Sequence, residues 1–210
     1  CPGETAKQEN QEIMAKNNPI VIILHHSGGI VGDPTYDTSQ QSLSAIDSWH
    51  KQLGFPKSEL GWHIGYHWVV EFNTGKITQT RNEWEIGYHV IGINNKGLGV
   101  LGMGNFDRLP ALEHSRPSEV QEKSIKELLI KLRIRYPDIP IRNHRFYANR
   151  TCPGKNLPDN YGDLLLQRET NEPNIKELEN QKLNLMERIV EVLKLLIIRW
   201  QNKLGGQKYA

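Results

Sequence analysis

The stretch Arg142-Asn143-His144-Arg145-Phe146-Tyr147-Ala148-Asn149-Arg150-Thr151-Cys152-Pro153-Gly154 sets an imidazole and a thiol a short loop apart, with a guanidinium two residues before the thiol. Histidine nitrogen and cysteine sulfur are ligands that zinc prefers, and the Pro-Gly pair predicts a tight turn that holds the sulfur in place. One histidine and one cysteine are only part of a site, so a third ligand has to come from elsewhere. The apolar run Pro19-Ile20-Val21-Ile22-Ile23-Leu24 ends in His25-His26. Side chains at the end of a buried strand are rigidly held, and strand neighbours point to opposite faces, so one histidine of the pair faces a given site. Writing His25 for that pair, His25, His144 and Cys152 make two imidazoles and a thiolate with a fourth position open, the arrangement of catalytic zinc. Tyr66 and Arg150 are the polar groups to set beside the open position.

These residues need elements to carry them. The β-branched run before His25 reads as a strand buried on both faces. A helix is predicted from Ser44 to Leu53, with Ile46, Trp49 and Leu53 on one face, Gly54 as its stop and His50 as a structural or surface residue. Gly61 to Phe72 reads as a second strand that turns through Asn73-Thr74-Gly75-Lys76 into Ile77-Thr80. Gly87-Tyr88-His89-Val90 follows, and the glycine-spaced run from Gly97 to Phe106 leaves room for a close neighbour. Ser118 caps a helix through Ile125, Leu128, Leu129, Leu132 and Ile134, which Tyr136-Pro137 ends. Ile139 to Arg142 is a short strand that delivers His144. This order predicts an α/β fold: a single domain over residues 19–169 with a central mixed β-sheet flanked by helices. Residues 1–18 read as a flexible leader, and 170–210 as a long C-terminal amphipathic helix.

A chain of 210 residues is long enough for one good core. Its 26 basic and 24 acidic residues leave a net charge of +2, too balanced to argue for nucleic acid, yet not repelled by an anionic cell-wall polymer. No run of 18 uncharged apolar residues is present, and the two cysteines, Cys1 and Cys152, exclude a disulfide framework. Cys1 followed by a polar segment fits either a processing boundary or a lipid-anchored residue of the bacterial type. Ile175, Leu178, Leu185, Ile189, Val192 and Leu196 form the apolar stripe of the tail. Such a stripe serves packing on the chain's own domain, self-association or contact with a membrane surface.

The segments VIILHHS, GWHIGYHW, GLGVLGMGNF and NHRFYANRTCPG, in this order, resemble zinc-dependent N-acetylmuramoyl-L-alanine amidases of the amidase type 2 family, which includes phage lytic amidases and peptidoglycan recognition proteins. The resemblance covers residues 19–161. It implies one zinc ion on His25, the earlier histidine of the pair, with His144 and Cys152. It also implies Tyr66 and Arg150 as catalytic groups, with arginine where lysine is more usual. His89, Trp62 and Asn105 are expected to contact substrate. The implied substrate is peptidoglycan or its muropeptides, cut at the amide between N-acetylmuramic acid and L-alanine of the stem peptide. Cytoplasmic recycling members carry a carboxylate on the strand that matches Gly97 to Phe106, where this chain has Leu101 and Met103. The likeness is therefore to the phage and recognition-protein branch, with the general base unassigned. The implied location is the cell envelope or the extracellular space, with a phage-encoded lytic enzyme as the alternative. A binding module with a remnant zinc site is the competing reading, and the intact ligand set weighs against it.

Overall fold

The β-branched run after Ile20 forms β1 (Val21–His26), and every residue of it is buried. A computed structural model describes residues 16–167 and 186–194 and builds four more strands around it. These are β2 (Trp68–Val70), β3 (Ile77–Gln79), β4 (Gly97–Gly102) and β5 (Ile141–Asn143), joined by α1 (Leu43–Gln52), α2 (Glu119–Arg135) and α3 (Tyr161–Gln167). The sheet order is β3-β2-β4-β1-β5. All neighbours are parallel except β3, which pairs antiparallel with β2. This is the mixed sheet flanked by helices that the sequence predicts.

Side-chain alternation along β1 divides the interior. Ile22 and Leu24 enter the larger core, with Leu128 and Leu129 of α2 and Leu165 of α3, while Val21 and Ile23 join Val90 in a smaller cluster. His25 has the parity of Val21 and Ile23, so it leaves the sheet on the side of the smaller cluster. Burial of both faces is what a central parallel strand requires, and it explains the absence of a polar alternation here.

The cap of α2 is the one its sequence indicates, whereas α1 begins before the expected Ser44, on Ser42, whose hydroxyl accepts from the Ala45 N–H at 3.1 Å. The Ser118 hydroxyl accepts from the Gln121 N–H at 3.2 Å, and the first turn of α2 carries Glu119 and Glu122 at the positive end of the helix dipole. Ile125, Leu128, Leu129 and Leu132 are buried, but Ile134 is 77% exposed. It lies two residues past Leu132, which on a 3.6-residue period is the opposite face. In α1 the buried pair is Ile46 and His50, whereas Trp49 and Leu53, expected on the core face, are exposed. The Gly65 N–H donates to His50 Nδ1 at 3.1 Å, so the helix turns its Ile46–His50 face inward.

The expected second strand contracts from Gly61–Phe72 to Trp68–Val70 because the residues before it cross another chain segment. The Gly65 carbonyl accepts from the Tyr88 N–H at 2.8 Å, and a Cβ at Gly65 would lie 2.3 Å from the Tyr88 oxygen. Gly87 to Val90 forms a loop held by Asn94, whose Oδ1 accepts from the N–H groups of His89 and Val90 at 2.8 and 2.7 Å.

Residues 1–15 of the expected leader lie outside the described residues. Asn17 is buried, and its amide donates to the carbonyls of Glu83 at 2.9 Å and Gly97 at 3.2 Å. Residues 186–194 are helical. The rest of the expected C-terminal helix, and Cys1, lie outside the described residues.

Candidate metal centre

Two strand ends bring the histidines together. β1 and β5 run parallel with Leu24 opposite Asn143, so the residues that follow, His25 and His144, leave the sheet side by side with ring centroids 4.6 Å apart. Cys152 arrives on a turn closed by the Gly154 N–H donating to the Thr151 carbonyl at 2.8 Å, with a cis bond between Cys152 and Pro153. Gly154 sits at φ +123°, and a Cβ there would lie 2.4 Å from Phe106 Cβ, so only glycine fits.

Arg145 and Asp107 hold that turn from two sides. The Arg145 guanidinium donates to the carbonyls of Thr151 at 3.1 Å, Gly154 at 3.2 Å and Leu157 at 2.5 Å. The Asp107 carboxylate accepts from the Thr151 hydroxyl at 2.5 Å and the Lys155 N–H at 2.6 Å. Sequence reasoning missed both residues. The only local signal was the place of Arg145 directly after His144, and no spacing pairs Asp107 with a loop 44 residues away.

The ligating atoms of His25, His144 and Cys152 all lie within 4.8 Å of one another, and Cys152 Sγ is 3.7 Å from His25 Nδ1. Zinc bonds of about 2.05 Å to nitrogen and about 2.3 Å to sulfur, at a tetrahedral angle, put those two atoms about 3.6 Å apart. The donor set and its spacing therefore fit a metal ion.

The electrostatics favour the same use. Burial holds His25 well below the ordinary histidine value, and the neighbouring His89, His144 and His26 lower it further. Burial also lowers His144, with a smaller push from Arg150. Both imidazoles are thus neutral, the form that has a lone pair to give. Burial pushes the Cys152 thiol up to about 12; the His26 N–H, Arg145 and Arg150 pull it down, and Asp107 adds to the rise. Without a cation the sulfur keeps its proton.

A groove of about 710 Å³ opens beside these ligands, lined by His144, Tyr66, Arg150, Tyr88, Tyr147 and Phe55 among others. The Tyr66 ring lies 4.9 Å from the His25 ring. Burial, and then Cys152, raise its phenol above the ordinary value, so it remains a hydrogen-bond donor. Among the described residues, no carboxylate lines this groove. Leu101 and Met103 are buried in the larger core.

Residues 15–155 match the family described as N-acetylmuramoyl-L-alanine amidase. The chain belongs to this family. The amidase is 30% identical to the endolysin of Escherichia phage T7 over 125 residues, 59% of this chain and 76% of that protein. Among solved structures it is similar to the amidase endolysin LysCS from Clostridium intestinale, at 28% identity and TM-score 0.51, covering 68% of this chain and 79% of that one. It is also similar to the Ph2119 endolysin from a Thermus scotoductus bacteriophage, at 27% identity and TM-score 0.52, covering 66% and 79%. The matched segment contains all three candidate ligands, Tyr66 and Arg150. Peptidoglycan amide hydrolysis is the activity this membership carries.

Of the residues expected to contact substrate, the structure brings His89 to this groove and places Trp62 and Asn105 outside its lining. His89 reaches the groove but is buried, and its Nδ1 lies 3.1 Å from His25 Nε2. Trp62 packs against the larger core and is not among the groove residues, and its backbone N–H donates to Ser58 Oγ at 3.2 Å. Asn105 is buried with both ends of its amide engaged: Nδ2 donates to the Tyr36 carbonyl at 2.8 Å and Oδ1 accepts from the Asp107 N–H at 3.1 Å. It is a loop tie. His26 faces away from the metal centre, where its Nδ1 accepts from the Phe106 N–H at 3.1 Å.

Proposed function

We propose that this amidase cuts the bond between the lactyl group of N-acetylmuramic acid and L-alanine with one zinc ion held by His25, His144 and Cys152, as a lytic enzyme of the phage type. The observation that carries the zinc reading is the donor set itself. Two neutral imidazoles and a half-buried thiol, with sulfur and nitrogen 3.7 Å apart, suit zinc better than an oxygen-seeking cation. Zinc bound there would supply Lewis-acid chemistry, making water nucleophilic near neutral pH and polarising the scissile carbonyl.

The chain's own residues have complementary tasks. Arg150 borders the groove and gives a fixed positive charge where the carbonyl oxygen becomes anionic. Tyr66, kept as a phenol, donates a hydrogen bond to the same developing charge or to the attacking water. Tyr88 and Tyr147 are aromatic walls for the substrate. The likeness to the phage T7 endolysin supports the lytic role and peptidoglycan as partner.

Mass spectrometry of peptidoglycan fragments tests this reading. Protein as purified should release stem peptides that begin at L-alanine, chelation should stop release, and added zinc should restore it. Undiminished cleavage by protein shown to be metal-free would remove zinc from the reaction, and fragments cut at another bond would overturn the substrate assignment.

A further inference from the structure

We infer that His89 is a positioning residue for the metal ligand His25, holding that ligand's proton on Nε2 so that Nδ1 is bare for the metal. The inference rests on the zinc reading above and replaces the substrate contact expected for His89 from sequence.

A neutral imidazole has one N–H. Cys152 Sγ lies 3.7 Å from His25 Nδ1, so Nδ1 is the nitrogen that faces the other ligands, and the proton belongs on Nε2. His89 Nδ1 is 3.1 Å from that Nε2 and accepts its hydrogen bond. The proton of His89 then sits on its own Nε2. Outer partners of metal-bound histidines are ordinarily carboxylates, backbone carbonyls or waters, and they set tautomer and ring orientation. Here an imidazole takes that place.

Three glycines make room for this ring. A Cβ at Gly87 would lie 2.5 Å from His89 Cδ2, one at Gly99 would lie 2.8 Å from the same atom, and one at Gly97 would lie 3.3 Å from His89 Cε1. The close neighbour that the glycine-spaced run makes room for is therefore this side chain. Asn94 fixes its backbone, as described above. His67 meets it edge-on, with ring centroids 5.7 Å apart. His67 is itself locked, its Nδ1 accepting from the Gly99 N–H at 3.1 Å and its Nε2 donating to the Glu85 carbonyl at 2.9 Å. His89 is 9% exposed, its Nδ1 is taken up by His25, and its remaining nitrogen, Nε2, is shut off from solvent, so the ring offers little to a substrate.

The test measures zinc affinity of the full chain by competition with a chromophoric chelator, alongside KM for a soluble muropeptide at saturating zinc. His89→Ala should weaken zinc binding by about 10- to 100-fold with KM unchanged, the usual effect of removing an outer partner. His89→Asn, which puts an acceptor oxygen near the place of Nδ1, should recover most of the affinity. Gly99→Ala, which displaces the ring, should weaken zinc binding in the same direction; this variant and His89→Asn decide the matter if His89→Ala does not fold. Wild-type zinc affinity with a raised KM in His89→Ala would overturn the inference and return His89 to substrate contact. A Cys152→Ala variant that binds zinc as tightly as wild type would instead sink the zinc reading.

Discussion

The backbone N–H of Arg145 donates to the carbonyl oxygen of Cys152 at 2.8 Å. The residue after one candidate ligand is thereby bonded to another candidate ligand, and the Arg145 guanidinium binds three more carbonyls of the same loop. His144 and Cys152 thus form one tied half of the candidate centre, and His25 on β1 is the other.

Arg145→Ala should cost about 2 kcal/mol of stability, since hydrogen bonds to a charged group are each worth about 1.5–3 kcal/mol and water will replace part of them. Urea unfolding of the metal-free protein measures this, and an unchanged midpoint would show that the loop closes without the guanidinium.

Arg150→Ala should lower the turnover rate by about 100- to 1000-fold, the usual effect of deleting one group that stabilises an oxyanion. Arg150→Lys should keep most activity, because a fixed point charge is what the role needs. Full activity in the alanine variant would remove this residue from the chemistry.

Zinc binding at pH 7 should expel about one proton. The Cys152 thiol is protonated before loading because burial pushes it up to about 12, whereas His25 and His144 are already neutral. Affinity should therefore rise about tenfold per pH unit above neutrality. Titration calorimetry in two buffers of different ionisation enthalpy reads the proton count directly, and a count of zero would mean a preformed thiolate.

Acid should destabilise the fold through two histidines away from the ligand set. His50 and His67 are each held at about 4, chiefly by burial, against an ordinary 6.5. Their folded-state values are lower than their unfolded ones, so the unfolded chain takes up protons first as pH falls. The stability they permit is whole above about pH 6.5 and is lost as pH drops toward about 4. Melting curves across that window should fall with decreasing pH, and His50→Asn, which keeps an acceptor for the Gly65 N–H, should flatten the fall. A variant with the same slope as wild type would show that His50 is not the group that titrates.

Much of the fold is legible because its signals are local. The β-branched run, Ser118 with its acidic first turn, and the Pro-Gly after Cys152 each dictate structure through neighbours within a few residues. The same locality explains the misses. Trp49 and Leu53 follow a helical spacing in α1, but which face turns inward is decided by the Gly65 N–H that reaches His50 from outside the helix. Trp62 packs partly against the core and Asn105 bonds the Tyr36 carbonyl, contacts that lie far along the chain from the motifs carrying them.

Residue types alone point to the candidate ligand chemistry, since histidines and a cysteine stand at the ends of predicted elements and offer nitrogen and sulfur donors. The sequence by itself determined the mixed sheet as well, through element order and burial pattern. Tertiary structure decided the rest. The parity of β1 guarantees that His25 and His26 diverge, but the pairing of β1 with β5 puts His144 beside His25 and leaves His26 to the Phe106 N–H. Likewise, His89 became the partner of a ligand 64 residues away only because three glycines let its ring lie against β4. Contacts at such separations depend on how strands register and which faces close on each other, and no local pattern of residue types encodes that.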